Sequence, residues 1–296
     1  MAEVSAQAVA QLRDKTGVGM MDCKKALSAC AGDVRAAIKH LREKGLAKAA
    51  QKAGREASQG TVAAWTSSEG AALVEVNCET DFVARNEQFQ AFAQRLSACV
   101  GQANVPATVV HQGDAVSAAA FGGGGDVRQQ VHDLITRIGE NIVVRRLAKL
   151  NGGNAYGSYL HHGGTVGAVV QLTLSDAGKA ADPVVRQVAK DLCMHIAACE
   201  PRAVSRENLD AATVNSEREV LRKRVLDEGK PEQIVDRIVT GKLNKFFSQN
   251  CLLEQPFVKD NTVTVSQYIQ QQAKQSGCDM TVDHFVCFRV GGDFAS

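Results

Sequence analysis

GAALVEVNCETDFVARNEQF, residues 70–89, changes its hydrophobic period half-way along. GAALVEVN alternates as a strand does, whereas Phe89, Phe92, Ala93, Leu96 and Val100 recur at helical spacing. The junction is Thr80-Asp81-Phe82-Val83, a carboxylate and then a large aromatic at a strand-to-helix corner. Two readings fit it. In one, Thr80 or Asp81 caps the helix and Phe82 packs inward with Phe89, seven residues on. In the other, Phe82 stands exposed and Asp81 is placed to compete for another molecule's cation or hydrogen-bond donors.

Working outward, GTVAAWTSSEGAALVEVN reads as two strands around a Ser/Glu/Gly turn. After the helix come a polar loop with FGGGGD at 121–126 and then DVRQQVHDLITRIGENIVVRRLAKL, a helix and a strand. The second half repeats this outline. GSYLHHGGTVGAVVQLTLS gives two strands around a glycine turn, and PVVRQVAKDLCMHIAACEP an amphipathic helix with Val185, Val188, Leu192 and Ile196 on one face. The fold class is therefore α+β, a duplicated core with antiparallel sheets. Residues 54–140 form its N-subdomain and 141–296 its C-subdomain. The latter is interrupted at about 203–248 by two charged helices around Asp227-Glu-Gly-Lys-Pro231, an inserted helical hairpin. Val220, Leu221 and Val225 are expected on one apolar edge of this arm, Ile234, Ile238 and Leu243 on the other. The arm is expected either to reach outward toward a partner, with self-association through it one such use, or to pack in the ordinary way on its parent core. QPFVKDNTVTVSQYIQQQAK and HFVCFRVGG then return a helix and a last strand.

Residues 1–53 read as a small three-helix domain of ubiquitin-associated type. Ser5 caps the first helix and Asp33 the third, with Val9, Leu12, Val34, Ile38 and Leu41 inward, and Gly45 closes the third helix. A Gly/Ala/Ser-rich linker follows, over 45–60.

The bulk numbers exclude more than they assign. A formal charge of +2 and an aromatic content of 5% give neither a polyanion-binding field nor a set of stacking platforms. Nine cysteines without a C-x-x-C pair argue for a reducing compartment, so a cytoplasmic protein is expected. Cys23, Cys30, Cys78, Cys99, Cys193 and Cys199 sit in apolar or helical patterns and read as small buried hydrophobes. The start of the chain lacks signal or transit character, and no apolar run is long enough to span a bilayer. FGGGGD is not followed by G-K-[ST], so it reads as a connection and not as a phosphate loop. Neighbours such as His161 and His162 are expected to point apart, which argues against a shared metal. Nothing resembles G-x-S-x-G, H-E-x-x-H or a Walker or Rossmann fingerprint, so neither catalytic residues nor a cofactor are expected.

Five motifs then carry a resemblance. VAQLRDKTGVGMMDCKKAL at 9–27, VNCETDFVARNEQF at 76–89, IGENIVVRR at 138–146, GSYLHHGG at 157–164 and QPFVKD at 255–260 together closely resemble the elongation factor Ts family. Their order is the family's, over essentially the whole chain. The resemblance implies a guanine-nucleotide exchange factor, not an enzyme, that binds elongation factor Tu in its GDP-bound and nucleotide-free forms. Thr80, Asp81, Phe82 and Val83 match the family's working tip, where the aspartate and phenylalanine press between helices of the GTPase and displace its Mg²⁺. Met20, Met21 and Lys24 match the family's contact from the N-terminal domain. Tyr159-Leu-His161-His162 stands where the family commonly has Tyr-x-His-Gly, which implies a core contact at His161. The alternative is an RNA- or ribosome-binding adaptor using the basic residues 39–55 and the helical arm; low charge and few aromatics count against direct nucleic-acid binding.

Overall fold

The computed structural model describes residues 4–103, 108–111, 120–121 and 125–292. Three helices come first: α1 (Ala6–Thr16), α2 (Met20–Ala29) and α3 (Val34–Lys52). Ser5 Oγ accepts from the Ala8 amide at 3.2 Å, and Asp33 from those of Arg35 and Ala36. These caps satisfy donors that a helix leaves free at its start. Val9, Leu12, Cys23, Leu27, Ala37 and Leu41 close a small apolar cluster between the three helices.

Gly45 does not end α3, which runs on to Lys52. A β-carbon at Gly45 would lie 2.4 Å from Thr136 Oγ1. The glycine thus serves close helix–helix approach, and the expected linker is helical over its first half.

Strands β1 (Gln59–Thr66) and β2 (Ala71–Cys78) lead into the short α4 (Asp81–Ala84) and α5 (Glu87–Gln102). Next come β3 (Thr108–His111), the two-residue partners β4 (Ala120–Phe121) and β5 (Gly125–Asp126), α6 (Val127–Ile138) and β6 (Ile142–Leu150). The first sheet has the order β1-β2-β6-β3, all antiparallel. Its edge strand β3 falls where the sequence suggested only a loop. Residues 122–124 of the FGGGGD run lie outside the described residues.

The second unit comprises β7 (Ala155–His161), β8 (Val166–Leu174), α7 (Pro183–Cys199), the arm helices α8 (Ala211–Asp227) and α9 (Glu232–Asn250), β9 (Pro256–Phe257), β10 (Asp260–Thr264), α10 (Val265–Ser276) and β11 (Met280–Arg289). Its sheet has the order β11-β8-β7, again antiparallel.

The two sheets pack face to face between two helical layers. Phe89, Phe92 and Leu96 of α5 cover Ala72, Val74 and Val76 on one side of β2. On the other side Leu73 meets Val169 and Phe288 of the second sheet. Val188, Leu192 and Ile196 of α7 cover Ala168, Val170 and Leu172 of β8. Both faces of each sheet's centre are therefore buried, and β2 is buried at every position.

That explains Glu75, fully buried although it occupies a polar position of the alternating run. A bulge between Glu75 and Val76 brings two successive arginines of β6 to its carboxylate, Arg145 at 3.1 Å and Arg146 at 2.5 Å. The Gly291 amide donates to it as well, and Arg146 also donates to the Arg289 carbonyl. A buried carboxylate is tolerable only with such a set of partners.

The arm closes on its own apolar seam of Leu221, Val225, Val235, Val239 and Leu243. Val220 and Ile234, expected on that seam, are exposed. None of the nine cysteines is in a disulfide; of those expected buried, Cys30 and Cys99 are half-buried and Cys199, at the end of α7, is exposed. Among the described residues no helix is long and apolar enough to cross a membrane.

Candidate functional site: the strand-to-helix corner

Two caps build the corner. Thr80 is extended (φ −125°, ψ 156°), and its hydroxyl accepts from the Val83 amide at 3.4 Å, which starts α4. Six residues later Asn86 accepts from the Gln88 amide at 2.9 Å and starts α5. Between the caps, Ala84 is buried and Val83 packs on the α5–sheet cluster. Phe82 has no place in that cluster and is 83% exposed. Phe89, its supposed packing partner, is fully buried without it. Of the two readings of the corner, inward packing of Phe82 is excluded. The Asp81 carboxylate is half exposed and pairs with Arg85 one turn on, at 3.4 Å.

A pair of carboxylates fixes the backbone beneath the tip. Glu140, two residues past the end of α6, accepts the amides of Glu79 and Thr80 at 3.1 and 3.0 Å on one oxygen and the Thr80 hydroxyl at 2.6 Å on the other. Glu79 accepts the Asn141 amide at 2.6 Å, and Arg55 approaches it at 3.4 Å. That amide, more than the guanidinium, holds the Glu79 carboxyl below its usual range. Cys78 donates to the Thr80 carbonyl at 3.2 Å. Burial, and then the nearby charge of Glu140, push its thiol up to about 12, so it stays protonated and unreactive.

The histidine turn lies beside the corner. His161 ends β7 and is exposed, with Nδ1 3.0 Å from the Tyr159 hydroxyl. A β-carbon at Gly164 would sit 2.3 Å from Thr61 Oγ1, so the turn's backbone rests directly on β1. Thr61 Oγ1 donates to Gln90 Oε1 at 3.4 Å, and Gln90 Nε2 donates to the Ala84 carbonyl at 2.6 Å. One chain of contacts thus runs from the histidine turn to α4. The two histidine rings do not point apart. They touch edge to face with centroids 3.9 Å apart, because His162 adopts φ 42° and turns its side chain back toward His161.

Met20 and Met21 open α2 after Gly19 and are 53% and 64% exposed; Lys24, one turn on, is exposed too. They belong to a different element from the corner. Among the described residues no group of three or more His, Cys, Asp or Glu is placed to hold a metal ion.

The sequence model of the family described as Elongation factor TS matches residues 79–292. Elongation factor Ts of Clostridium botulinum (strain Alaska E43 / Type E3) is 42% identical over 291 residues, 97% of this chain and 93% of that protein. Elongation factor Ts of Nitratidesulfovibrio vulgaris (strain DP4) is 41% identical over 297 residues, 99% of this chain and 98% of that protein. The chain belongs to the elongation factor Ts family. It is a translation elongation factor by membership. The corner and the histidine turn fall inside the elongation factor Ts match, whereas Met20, Met21 and Lys24 precede it.

Glu140, Gln90 and Thr61 did not emerge as site residues from the sequence. Nothing local pairs residue 140 with residue 79. The one available signal was that Glu140 and Asn141 lie within IGENIVVRR, a motif of the elongation factor Ts resemblance. The corner offers a bare aromatic on a backbone pinned from below, beside an exposed carboxylate. Burying such a ring against another protein is worth about 1.5–3 kcal/mol.

Proposed function

We propose that this protein binds elongation factor Tu·GDP and promotes exchange of GDP for GTP, with Thr80–Val83 as the tip that disturbs the GTPase's Mg²⁺ and phosphate site. The observation that carries this reading is Phe82, almost fully exposed on an anchored corner where water alone would favour a polar residue. GDP is held partly by Mg²⁺, which neutralises its phosphates, and partly by a fitted glycine-rich loop. A ring wedged beside that site shifts the loop. A carboxylate competing for the metal's surroundings leaves phosphate charge uncompensated, and GDP leaves faster. By linkage, nucleotide and exchange factor weaken each other's binding equally, so the nucleotide-free form is bound best. Exposed Met20 and Met21, flexible and apolar, suit a second, adaptable contact supported by Lys24, and His161 a third from the core. The test is release of a fluorescent GDP analogue from purified elongation factor Tu in excess unlabelled nucleotide. Catalytic amounts of this protein should accelerate release; an unchanged rate at saturating concentration would overturn the proposal.

A further inference from the structure

His162 is one of three described non-glycine residues with a left-handed backbone, at φ 42°. Gly163 and Gly164 follow at φ 65° and 94°, so three successive left-handed residues reverse the chain from β7 into β8. Glycine suits all three positions, because a β-carbon crowds the following carbonyl there. The first nevertheless carries an imidazole, and its side chain is exposed, so the core gains nothing from it. What the imidazole touches is His161, with ring centroids 3.9 Å apart and planes at 64°. On the same strand, the Tyr159 hydroxyl is 3.0 Å from His161 Nδ1. His161 is therefore exposed yet held twice, by a hydroxyl at one nitrogen and by the neighbouring ring against its own.

We propose that His162 is a positioning residue: its ring, turned back by the left-handed backbone, fixes the orientation in which His161 meets elongation factor Tu. This rests on the reading of His161 as a contact of the exchange complex. The Tyr159 hydroxyl and His161 Nδ1 share one hydrogen bond whose donor follows the ring's tautomer; in the tautomer where Nδ1 accepts, the ring proton sits on Nε2 and is presented as a donor. Contacts through Thr61 and Gln90 tie the turn's backbone to the Ala84 carbonyl, so the presented donor keeps its place relative to Phe82. A side chain ordered before docking loses less rotamer freedom when it docks. The cost is local backbone strain at an exposed residue, a pattern expected where a conformation serves binding rather than stability.

The experiment compares His162→Gly and His162→Phe with wild type in two assays. In the free protein, nitrogen NMR reads the His161 ring. In exchange, GDP release is measured across elongation factor Tu·GDP concentrations to separate KM from kcat. His162→Gly should melt no lower than wild type, because glycine accepts this backbone. Its His161 nitrogens should lose the single-tautomer pattern, and KM should rise about fivefold, the size of one aromatic contact, with kcat unchanged because Phe82 is intact. His162→Phe restores a ring and should return KM to within about twofold of wild type. Wild-type ring shifts or a wild-type KM in His162→Gly would overturn the proposal. Should the shifts move while KM does not, His161→Ala separates the causes: a wild-type KM there shows that His161 itself makes no contact. If wild type fails to accelerate GDP release at all, the exchange reading falls, and the NMR comparison alone decides whether His162 orders His161.

Discussion

At the scale of single residues, the two phenylalanines of the motif have opposite fates. Phe89 fills the space between α5 and the sheet, and Phe82 stands in water. Phe89→Ala should cost about 3–5 kcal/mol by chemical denaturation, as expected of a buried aromatic truncation. Phe82→Ala should change stability by no more than about 0.5 kcal/mol, as a surface substitution does. If Phe82 is the wedge, the same variant should lower the GDP-release rate at least tenfold, about 1.4 kcal/mol of lost docking energy; a stable variant with a normal rate would sink the wedge. Asp81 separates cap from charge. Its neighbour Thr80 supplies the cap, so Asp81→Asn should leave the melting temperature unaltered. Exchange by that variant should slow when Mg²⁺ is present and recover once a chelator has removed the metal. Equal slowing in both conditions would exclude action through the magnesium site.

Elements place these residues. The corner keeps its aim because Glu140, just past the end of α6, accepts three hydrogen bonds from Glu79 and Thr80. Glu140→Gln sets an amide donor against backbone donors. It should cost about 1–3 kcal/mol, read in denaturant unfolding. The exchange rate should fall with it although every tip side chain remains. An unaffected rate would mean that α4 holds its orientation without Glu140. In the second unit, the segment 255–258 is strapped to α7 through His195, whose Nε2 lies 2.8 Å from Gln255 Oε1 and whose Nδ1 accepts the Val258 amide at 3.1 Å. Burial disfavours the charged ring and lowers its pKa from 6.5. The unfolded chain therefore takes up this proton first. The strap's contribution is complete above about pH 6.5 and fades as pH falls toward the folded value. The melting temperature should drop between pH 7 and pH 5, with a shallower slope in His195→Gln; parallel slopes would show that other groups set the acid limit.

For the whole molecule, the question is how the first helices belong to the rest. Reading residues 1–53 as a separate small domain predicts that its removal leaves the core untouched. In the structure α3 lies along α6, Ala49 is buried in the α5–sheet cluster, and the Lys52 ammonium donates to the Gly139 carbonyl. Leu46, Ala49, Val131 and Ile135 line a shared cavity of about 380 Å³. Residues 54–296 alone should therefore remain folded but melt several degrees below the full chain, since the cut bares part of the α6 surface. An identical melting temperature would return the first 53 residues to full independence.

Much of this protein was legible in the chain because its signals are local. Helical and strand periods, Ser5, Asp33 and Thr80 as caps, and the repeated strand–turn–strand–helix outline depend on neighbours a few residues apart. The arm's charged helices and turn were visible for the same reason. What the local pattern misjudged involves partners far along the chain. Alternation in GAALVEVN marks a strand but not what lies on its second face, which a second sheet from residues 155–289 covers, burying Glu75 with its arginines. Gly45 looked like a helix stop until α6 was laid against it, and His161 and His162 looked divergent until a left-handed φ turned their rings together. Phe82 is the clearest case. Its spacing from Phe89 fits the core and the surface equally, and only the folded corner, with Val83 and Ala84 already filling the inner side, leaves the ring in water.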